Sequence, residues 1–401
     1  MSAKVTRGPA RSRLALFSYG FRPFFLLAGM YALVPIGTIY WAMTTGLWPE
    51  DALPLFVWHG HEMLFGFAAA AIAGFLLTAV PTWTGTRAVS GIPLIGLVVL
   101  WLAGRAALSP WAQPASTLTQ FFGMAFLPAL AIVVAIPLIR TRNFRNLLFI
   151  PLLATLFLGE IAFHARYFGW TEDQVFDGLR LTINAVMLLV VIIGGRIVPA
   201  FTRNALAAMH RDVTIRSYPA VDRAAILSVV GVLLGDIFAM DSTLTGWLAA
   251  LSAGLIFIRL AGWGGMRTLD IPLLWVLHLG VCWLIVALAL KALWLLGGFA
   301  WAMNWMHALT AGVFGTMILG VMTRVALGHT GRPLVVPAAV VVSYVLVSAA
   351  ALIRVFGPWF AQSHYTLVLA VSVAAWTWAF AIFLLRYTPV LLTPRPDGRP
   401  G

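Results

Sequence analysis

The chain has 401 residues, of which 61% are hydrophobic and only 10% are charged, and its formal net charge is +13. Soluble domains carry about 25% charged residues, so this composition excludes an aqueous globular protein and predicts one that is integral to a lipid bilayer. No basic run is interleaved with aromatic residues, so nucleic acid is not expected as a partner. The lone Cys282 excludes a disulfide framework and any multi-cysteine metal site.

Twelve apolar runs are long enough, at about 20 residues each, to cross a bilayer as helices. The predicted spans are Phe24–Ala42, His61–Thr82, Pro93–Leu108, Gln120–Leu138, Leu147–Ala165, Leu181–Thr202, Val221–Phe238, Thr245–Trp263, Ile271–Trp294, Trp305–Ala326, Val335–Val355 and Tyr365–Arg386. The alternation of a membrane β-barrel is absent. We therefore predict an all-α integral membrane protein with one membrane domain over residues 1–401, in which 1–22 and 393–401 are cytoplasmic tails.

Basic residues collect on one side of these spans, which sets the predicted orientation. They are Lys4, Arg7, Arg11, Arg13, Arg22, Arg140, Arg142, Arg145, Arg203, Arg211, Arg216 and Arg223. The acidic residues Glu50, Asp51, Glu172, Asp173 and Asp241 fall on the other side. The positive side faces the cytoplasm, so both termini are expected there.

Span two opens with two histidines and a carboxylate, His59, His61 and Glu62. Such groups are costly in lipid and therefore indicate a function. The two histidines are two positions apart and point about 200° apart on a regular helix. They can bind one centre only if the helix begins between them, which Gly60 permits. Glu62 is either a proton-entry group or an acid favoured by the helix dipole.

Span five carries Glu160 one turn before His164, so both side chains share a face. A carboxylate inside the bilayer needs a partner. Glu160 either orients His164, passes protons, or pairs with Arg166.

Span ten begins with His307 and repeats the spacing of span two. When His61 is aligned with His307, Gly66 falls on Gly312, and Gly74, Thr84 and Gly85 likewise fall on Gly320, Thr330 and Gly331. Neutral imidazoles without thiolates suit haem iron or copper. We therefore predict haem between His61 and His307, while His59, His164 and Glu160 are candidates for a nearby copper or second haem site. His278 is either a further ligand or a hydrogen-bonded core residue.

Span six gives a weaker third copy, with Gly194, Gly195 and Arg196 at the position of Gly74 and no histidine at its start. Spans two, six and ten therefore predict three pseudo-equivalent four-helix units. This arrangement distantly resembles the core subunit of haem–copper oxidases, in which helices two and ten hold the low-spin haem. The oxidase histidines on helices six and seven have no counterpart here. Arg196 and Arg324 are either positive-inside anchors or the lining of a pocket for haem propionates, quinone or an anion.

Four stretches together resemble the NnrS family: Trp58 to Phe67, Pro81 to Gly85, Gly194 to Asn204, and Met306 to Arg332. The resemblance extends over nearly the whole chain. It implies a bacterial inner-membrane protein with twelve helices, haem b and copper, involved in nitric-oxide stress and denitrification.

The expected function is accordingly to bind or process nitric oxide, with electrons from quinol if turnover occurs. In that case Glu160 and Glu62 are the expected proton-transfer groups. Two alternatives remain open: a proton-coupled transporter that uses the histidines as a relay, and a factor that handles haem or copper for other enzymes.

Overall fold

The computed structural model describes residues 15–112, 117–167, 169, 177–211 and 214–398, and all regular secondary structure in these ranges is helical. We number twelve helical segments in chain order. They are α1 (Phe21–Thr45), α2 (Leu55–Thr84), α3 (Ile92–Ala107), α4 (Gln120–Arg140), α5 (Phe144–Arg166), α6 (Gly178–Ala208), α7 (Pro219–Phe238), α8 (Thr243–Gly262), α9 (Pro272–Gly297), α10 (Ala300–His329), α11 (Ala338–Phe360) and α12 (Gln362–Leu392).

Helices are the expected solution because lipid offers the backbone no hydrogen-bond partner, so each apolar run must satisfy its own amide groups. Local sequence sets several of the ends. The Asp177 carboxylate accepts a hydrogen bond from the Leu179 amide at 3.0 Å and so caps α6. Ser242 caps α8 in the same way. Gly298 has a positive φ of 62° and ends α9 in the left-handed conformation.

Ten of these segments are long and apolar enough to span a membrane, and the chain is a multi-pass membrane protein. The two predicted spans that do not meet this description correspond to α3 and α7. With 16 residues, α3 is about 24 Å long, which is less than the hydrocarbon thickness of about 30 Å. α7 has 20 residues but carries Asp222, Arg223 and Asp236. Crossing by these two helices stays a prediction.

Several sequence-based expectations lie outside the described residues. They concern the basic N-terminal residues Lys4, Arg7, Arg11 and Arg13, the acidic residues Glu172 and Asp173, and residues 1–14 and 399–401 of the predicted tails.

Two acidic side chains of α7 are paired with neighbouring helices. Asp236 is buried and binds the ammonium of Lys291 in α9, and it also accepts a hydrogen bond of 2.8 Å from Asn184 in α6. Asp222 accepts a hydrogen bond of 2.7 Å from Arg259 in α8. Pairing lowers the cost of burying these charges, so α7 is held to α6, α8 and α9 despite its lower apolarity.

The two histidine-headed helices share an irregularity that the sequence did not predict. α2 contains a π-helical stretch at Glu62–Ala68, and α10 contains one at Ala308–Gly315. These stretches coincide in the alignment of His61 with His307. π-Helical turns are rare and are frequent at functional sites.

The aligned glycines of these stretches have a common physical role. A Cβ at Gly66 would collide with the Tyr31 ring of α1, and one at Gly312 would collide with the Trp283 ring of α9. Each glycine therefore admits an aromatic ring of the preceding helix against the π-helical backbone. The pairs α1–α2 and α9–α10 thus pack alike, eight helices apart, as the sequence match implies.

Candidate functional site

The start of α2 presents its two histidines to different surroundings. Leu55–His61 is regular α-helix, so side chains two positions apart point in nearly opposite directions. His59 lines a cavity that His307 also lines. His61 instead packs against Phe163 and His164 of α5. The π-helical stretch begins directly after this segment, at Glu62.

The cavity lined by His59 and His307, called here the histidine cavity, has a volume of about 430 Å³. It lies between α1, α2, α6, α10, α11 and α12. Most of its walls are apolar and include Ile36, Ile39, Met63, Phe67, Ile183, Phe314 and Trp376. Binding sites for organic ligands are typically concave and mostly apolar, with a few converging polar groups and volumes of about 300–1,000 Å³.

Seven polar side chains besides the imidazoles line this cavity: Tyr40, Asp177, Arg180, Thr310, Arg354, Tyr365 and Ser372. Asp177 is engaged in capping α6. Arg354 lies near enough to both imidazoles for its charge to act on each. Among the described residues, no group accepts a hydrogen bond from the guanidinium of Arg180 or Arg354. The cavity therefore offers two cations whose hydrogen-bond donors are available to an anionic group.

His59 also has an unused polar atom. Its Nδ1 is buried and makes no hydrogen bond with any residue that the structure describes. A buried polar atom without a partner is costly, which in native proteins calls for a bound species or a specific role. This observation and the two guanidiniums both indicate that the histidine cavity receives a ligand.

On the opposite face of α2 lies a set of buried polar residues, called here the buried acid cluster: Tyr31, His61, Glu62, Arg105, Glu160 and His164. Glu62 is its centre and is fully buried. Its Oε1 accepts hydrogen bonds of 2.7 Å from Arg105 Nη1 and of 2.8 Å from His61 Nδ1. Its Oε2 accepts a hydrogen bond from the Tyr31 hydroxyl. Three donors on one carboxylate favour its ionised form.

Glu160 is the second carboxylate of the cluster, and it is less well satisfied. It is 2% exposed, and none of the described residues donates a hydrogen bond to its Oε2. Arg105 is close enough for its charge to act on Glu160 as well as on Glu62. Arg105 therefore lies between two carboxylates, of which only Glu62 binds it directly.

The two imidazoles of the buried acid cluster lie side by side. The ring centroids of His61 and His164 are 6.2 Å apart, at an interplanar angle of 78°. Since Glu62 occupies Nδ1 of His61, only Nε2 remains, and no described residue bonds to it. Nowhere among the described residues do three or more His, Cys, Asp or Glu side chains converge as a metal-binding group.

The remaining site residues predicted from the sequence have protein partners elsewhere. His278 Nε2 lies 2.9 Å from Thr202 Oγ1. Arg196 donates a hydrogen bond of 2.9 Å to the Asn146 side chain, and the Arg324 guanidinium lies 4.0 Å from the centroid of the Phe201 ring. None of these three residues, His278, Arg196 and Arg324, is among the described residues that line the histidine cavity.

Sequence reasoning missed four residues that the structure places in these sites: Tyr31, Arg105, Arg180 and Arg354. Arg105 and Arg354 fall inside the predicted spans Pro93–Leu108 and Val335–Val355. A charge inside a span was the available signal, because such a charge must find a partner or line a cavity. Tyr31 carried no comparable signal.

The fold and the two polar sites define a multi-pass helical membrane protein with imidazoles, carboxylates and guanidiniums on both faces of one helix. The sequence model described as NnrS protein matches residues 15–395, and the chain belongs to the NnrS family. No curated protein matches the chain.

Proposed function

We propose that the chain is a haem-binding membrane protein that binds or processes nitric oxide during nitrosative stress or denitrification. Membership of the NnrS family fits a role in the response to nitric oxide. The observation that carries the haem assignment is the histidine cavity, which His59 and His307 line from two different helices.

The residues of the histidine cavity fit haem b. The macrocycle is flat and apolar and carries two carboxylates, and it is commonly held by imidazole. The cavity supplies imidazoles on α2 and α10, the aromatic side chains Phe67 and Trp376 in its walls, and free guanidiniums on Arg180 and Arg354. In this proposal His59 takes the place that the sequence alignment assigned to His61.

Each lining group has a distinct task. His59 and His307 would hold the iron, and Arg180 and Arg354 would bind the propionates by charge-assisted hydrogen bonds. The apolar walls exclude water. Haem iron would bind nitric oxide in place of one of the two imidazoles. Nitric oxide partitions into lipid and therefore reaches a cavity within the membrane readily.

The buried acid cluster is proposed to serve proton transfer or copper binding. Glu62 joins His61 and Tyr31 by hydrogen bonds through which a proton can pass. Glu160 has an oxygen without a hydrogen bond to any described residue, so proton exchange between the two carboxylates requires a bridging group such as water. Copper fits the cluster as a site with two imidazole donors, His61 and His164. His164→Ala is expected to lower the copper content of the purified protein, because it removes one of the two imidazole donors. Glu160→Gln is expected to leave the copper content unchanged, because Glu160 serves proton transfer in this proposal.

An absorption spectrum combined with metal analysis tests the assignment. The protein, purified in detergent from cells supplied with iron and copper, is expected to show a Soret band with one haem per chain. It is expected to be reduced by a quinol analogue and reoxidised by nitric oxide. A Soret-free protein would remove the haem assignment. Substrate-dependent flux in liposomes without bound haem would instead establish the transporter alternative.

A second outcome would identify a cofactor-handling factor. In that case the haem or copper would exchange with an apo-acceptor within minutes, and deletion of the gene would lower the activity of a separate haem or copper enzyme. A retained, stoichiometric haem excludes this role.

We further propose that α3 and α7 also cross the membrane, which gives twelve spans in three four-helix units with both termini in the cytoplasm of a bacterial inner membrane. Pairing of the α7 charges with α8 and α9 supports this topology. Single cysteines placed at residues 50 and 241 of a Cys282→Ser variant are expected to react with an impermeant maleimide in whole cells. A cysteine at Arg142 is expected to react only after lysis.

Removal of Arg354 is expected to weaken haem retention. The Arg354 guanidinium makes no hydrogen bond to the described residues of the cavity lining, so its charge is available to a haem propionate. Arg354→Gln removes this charge. Hydrogen bonds to charged groups contribute about 1.5–3 kcal/mol, so the haem dissociation constant is expected to rise about 10- to 100-fold. Transfer of haem to apomyoglobin measures this change. Arg386→Gln, at an exposed position of α12, is the matched control, and equal haem loss from both variants would contradict the proposed contact.

A further inference from the structure

A second and smaller apolar pocket, called here the small void, lies between α1, α2, α6 and α10 and is about half open at the surface of the bundle. Its volume is about 70 Å³, and its lining consists entirely of apolar side chains and one glycine, Gly194. Ala71 and Phe75 line it from α2, Val190 from α6 and Met317 from α10. It therefore sits among the three helices whose sequences resemble one another.

This void continues the histidine cavity along the same helix faces. Phe67 lines the histidine cavity, and Ala71, one turn further along α2, lines the small void. On α6, Ile183 lines the histidine cavity and Val186 lines the small void. Residues three or four apart share a helix face. Phe314 lines both spaces. Its side chain therefore lies at the boundary between the two spaces.

The size and chemistry of the void limit its occupant. A water molecule needs two to four polar partners, and no lining side chain offers one. Enclosed apolar cavities stay dry, and one of about 150 Å³ is known to hold benzene or xenon. At 70 Å³ the void has about half that volume, which suits a species of one or two heavy atoms rather than a ring.

We propose that this void binds one small, uncharged apolar molecule of monatomic or diatomic size, and that the Phe314 ring separates it from the histidine cavity. The evidence for this binding site is the shape and the lining of the void, and it does not depend on the proposed function. Its use as an antechamber that delivers a dissolved gas from the bilayer to the histidine cavity rests on the function proposed above.

Xenon tests the site directly because it is a monatomic, uncharged probe that scatters anomalously. Crystals of the full chain under xenon pressure are expected to show one xenon atom between Ala71, Val190 and Met317. Gly194→Leu is expected to abolish it. A Cβ at Gly194 meets only Met317 Cε at 3.5 Å, an ordinary contact, so the added side chain extends into the void. Gly194→Ala fills less of the space and is expected to lower the xenon occupancy.

Gly254→Leu is the matched control for this substitution. Gly254 lies within α8 at an exposed position, and a Cβ there meets no atom within 4 Å. This variant is expected to retain full xenon occupancy. An empty void in the wild type, a lipid acyl chain in place of xenon, or undiminished xenon in Gly194→Leu would each overturn the site.

A kinetic measurement tests the barrier separately. In protein that retains haem, Phe314→Trp is expected to slow the geminate return of photolysed carbon monoxide about tenfold relative to the wild type. Equal rates in the two proteins would overturn the role of Phe314. Because xenon binding requires no haem, loss of the haem assignment would leave the xenon result intact, and the two failures are distinguishable.

Discussion

Replacing His59 with alanine is expected to abolish or strongly blue-shift the Soret band of the purified protein, whereas replacing His61 with alanine is expected to leave the band in place. His59 and His307 line one cavity, while His61 is held by Glu62 and packs on Phe163 in a different part of the bundle. Loss of one of two protein ligands is expected to lower haem occupancy at least tenfold. Haem extraction and the absorption spectrum measure this difference.

The control for non-specific effects is His364→Ala, since His364 is exposed at the start of α12. Its haem content is expected to equal that of the wild type. Imidazole in the buffer is expected to restore the spectrum of His59→Ala by entering the space that the side chain vacates. If His61→Ala loses haem and His59→Ala keeps it, the pairing of His61 with His307 inferred from the sequence is correct, and the assignment to the histidine cavity fails.

The choice between His59 and His61 shows where sequence reasoning reaches its limit. The helical period alone establishes that the two side chains point in nearly opposite directions. Which of them faces α10 depends on the rotation of α2 about its axis, and neighbouring helices set that rotation. Tyr31 of α1 packs on Gly66, and Trp101 of α3 donates a hydrogen bond to the Gly66 carbonyl at 3.2 Å. Both contacts are long-range.

The match between α2 and α10 was recognisable from spacing because close helix packing demands small residues at fixed positions. Gly66 and Gly312 align, and each receives an aromatic ring of the preceding helix. The π-helical stretches at these glycines were not predictable in the same way. A π-turn depends on tertiary packing that favours one wider turn, and no residue pattern in a single sequence specifies it.

Ten of the twelve spans predicted from the apolar runs correspond to helices long and apolar enough to cross a membrane, with similar boundaries, because hydropathy and length act locally. The partners of buried charges were not local. Lys291 of α9 binds Asp236 of α7, 55 positions away. Arg105 likewise required a carboxylate, and the sequence offered Glu62 and Glu160 without distinguishing them. The structure brings both near Arg105, and only Glu62 accepts its hydrogen bond.

Removing the guanidinium of Arg105 is expected to destabilise the protein more than any other single substitution in the buried acid cluster. In Arg105→Met the Glu62 carboxylate keeps its bonds to Tyr31 and His61 but loses the cation that compensates its charge. Breaking a buried ion pair by removing one partner costs about 3–5 kcal/mol, because an uncompensated charge stays buried. The thermal unfolding midpoint in detergent is expected to fall accordingly, and wild-type and variant proteins should be compared at one detergent concentration.

The double variant Arg105→Met/Glu62→Gln distinguishes a charge effect from lost packing. The amide oxygen of glutamine still accepts a hydrogen bond from His61, its NH2 group can donate to the Tyr31 hydroxyl oxygen, and the neutral amide needs no counter-ion. Most of the lost stability is therefore expected to return, since replacing both members of a buried pair is often nearly neutral. Arg211→Met breaks an ion pair with Asp270 that is about half exposed, and it is expected to leave the midpoint unchanged because water screens such pairs. A double variant as unstable as Arg105→Met would show that the arginine stem stabilises the bundle by packing rather than by its charge.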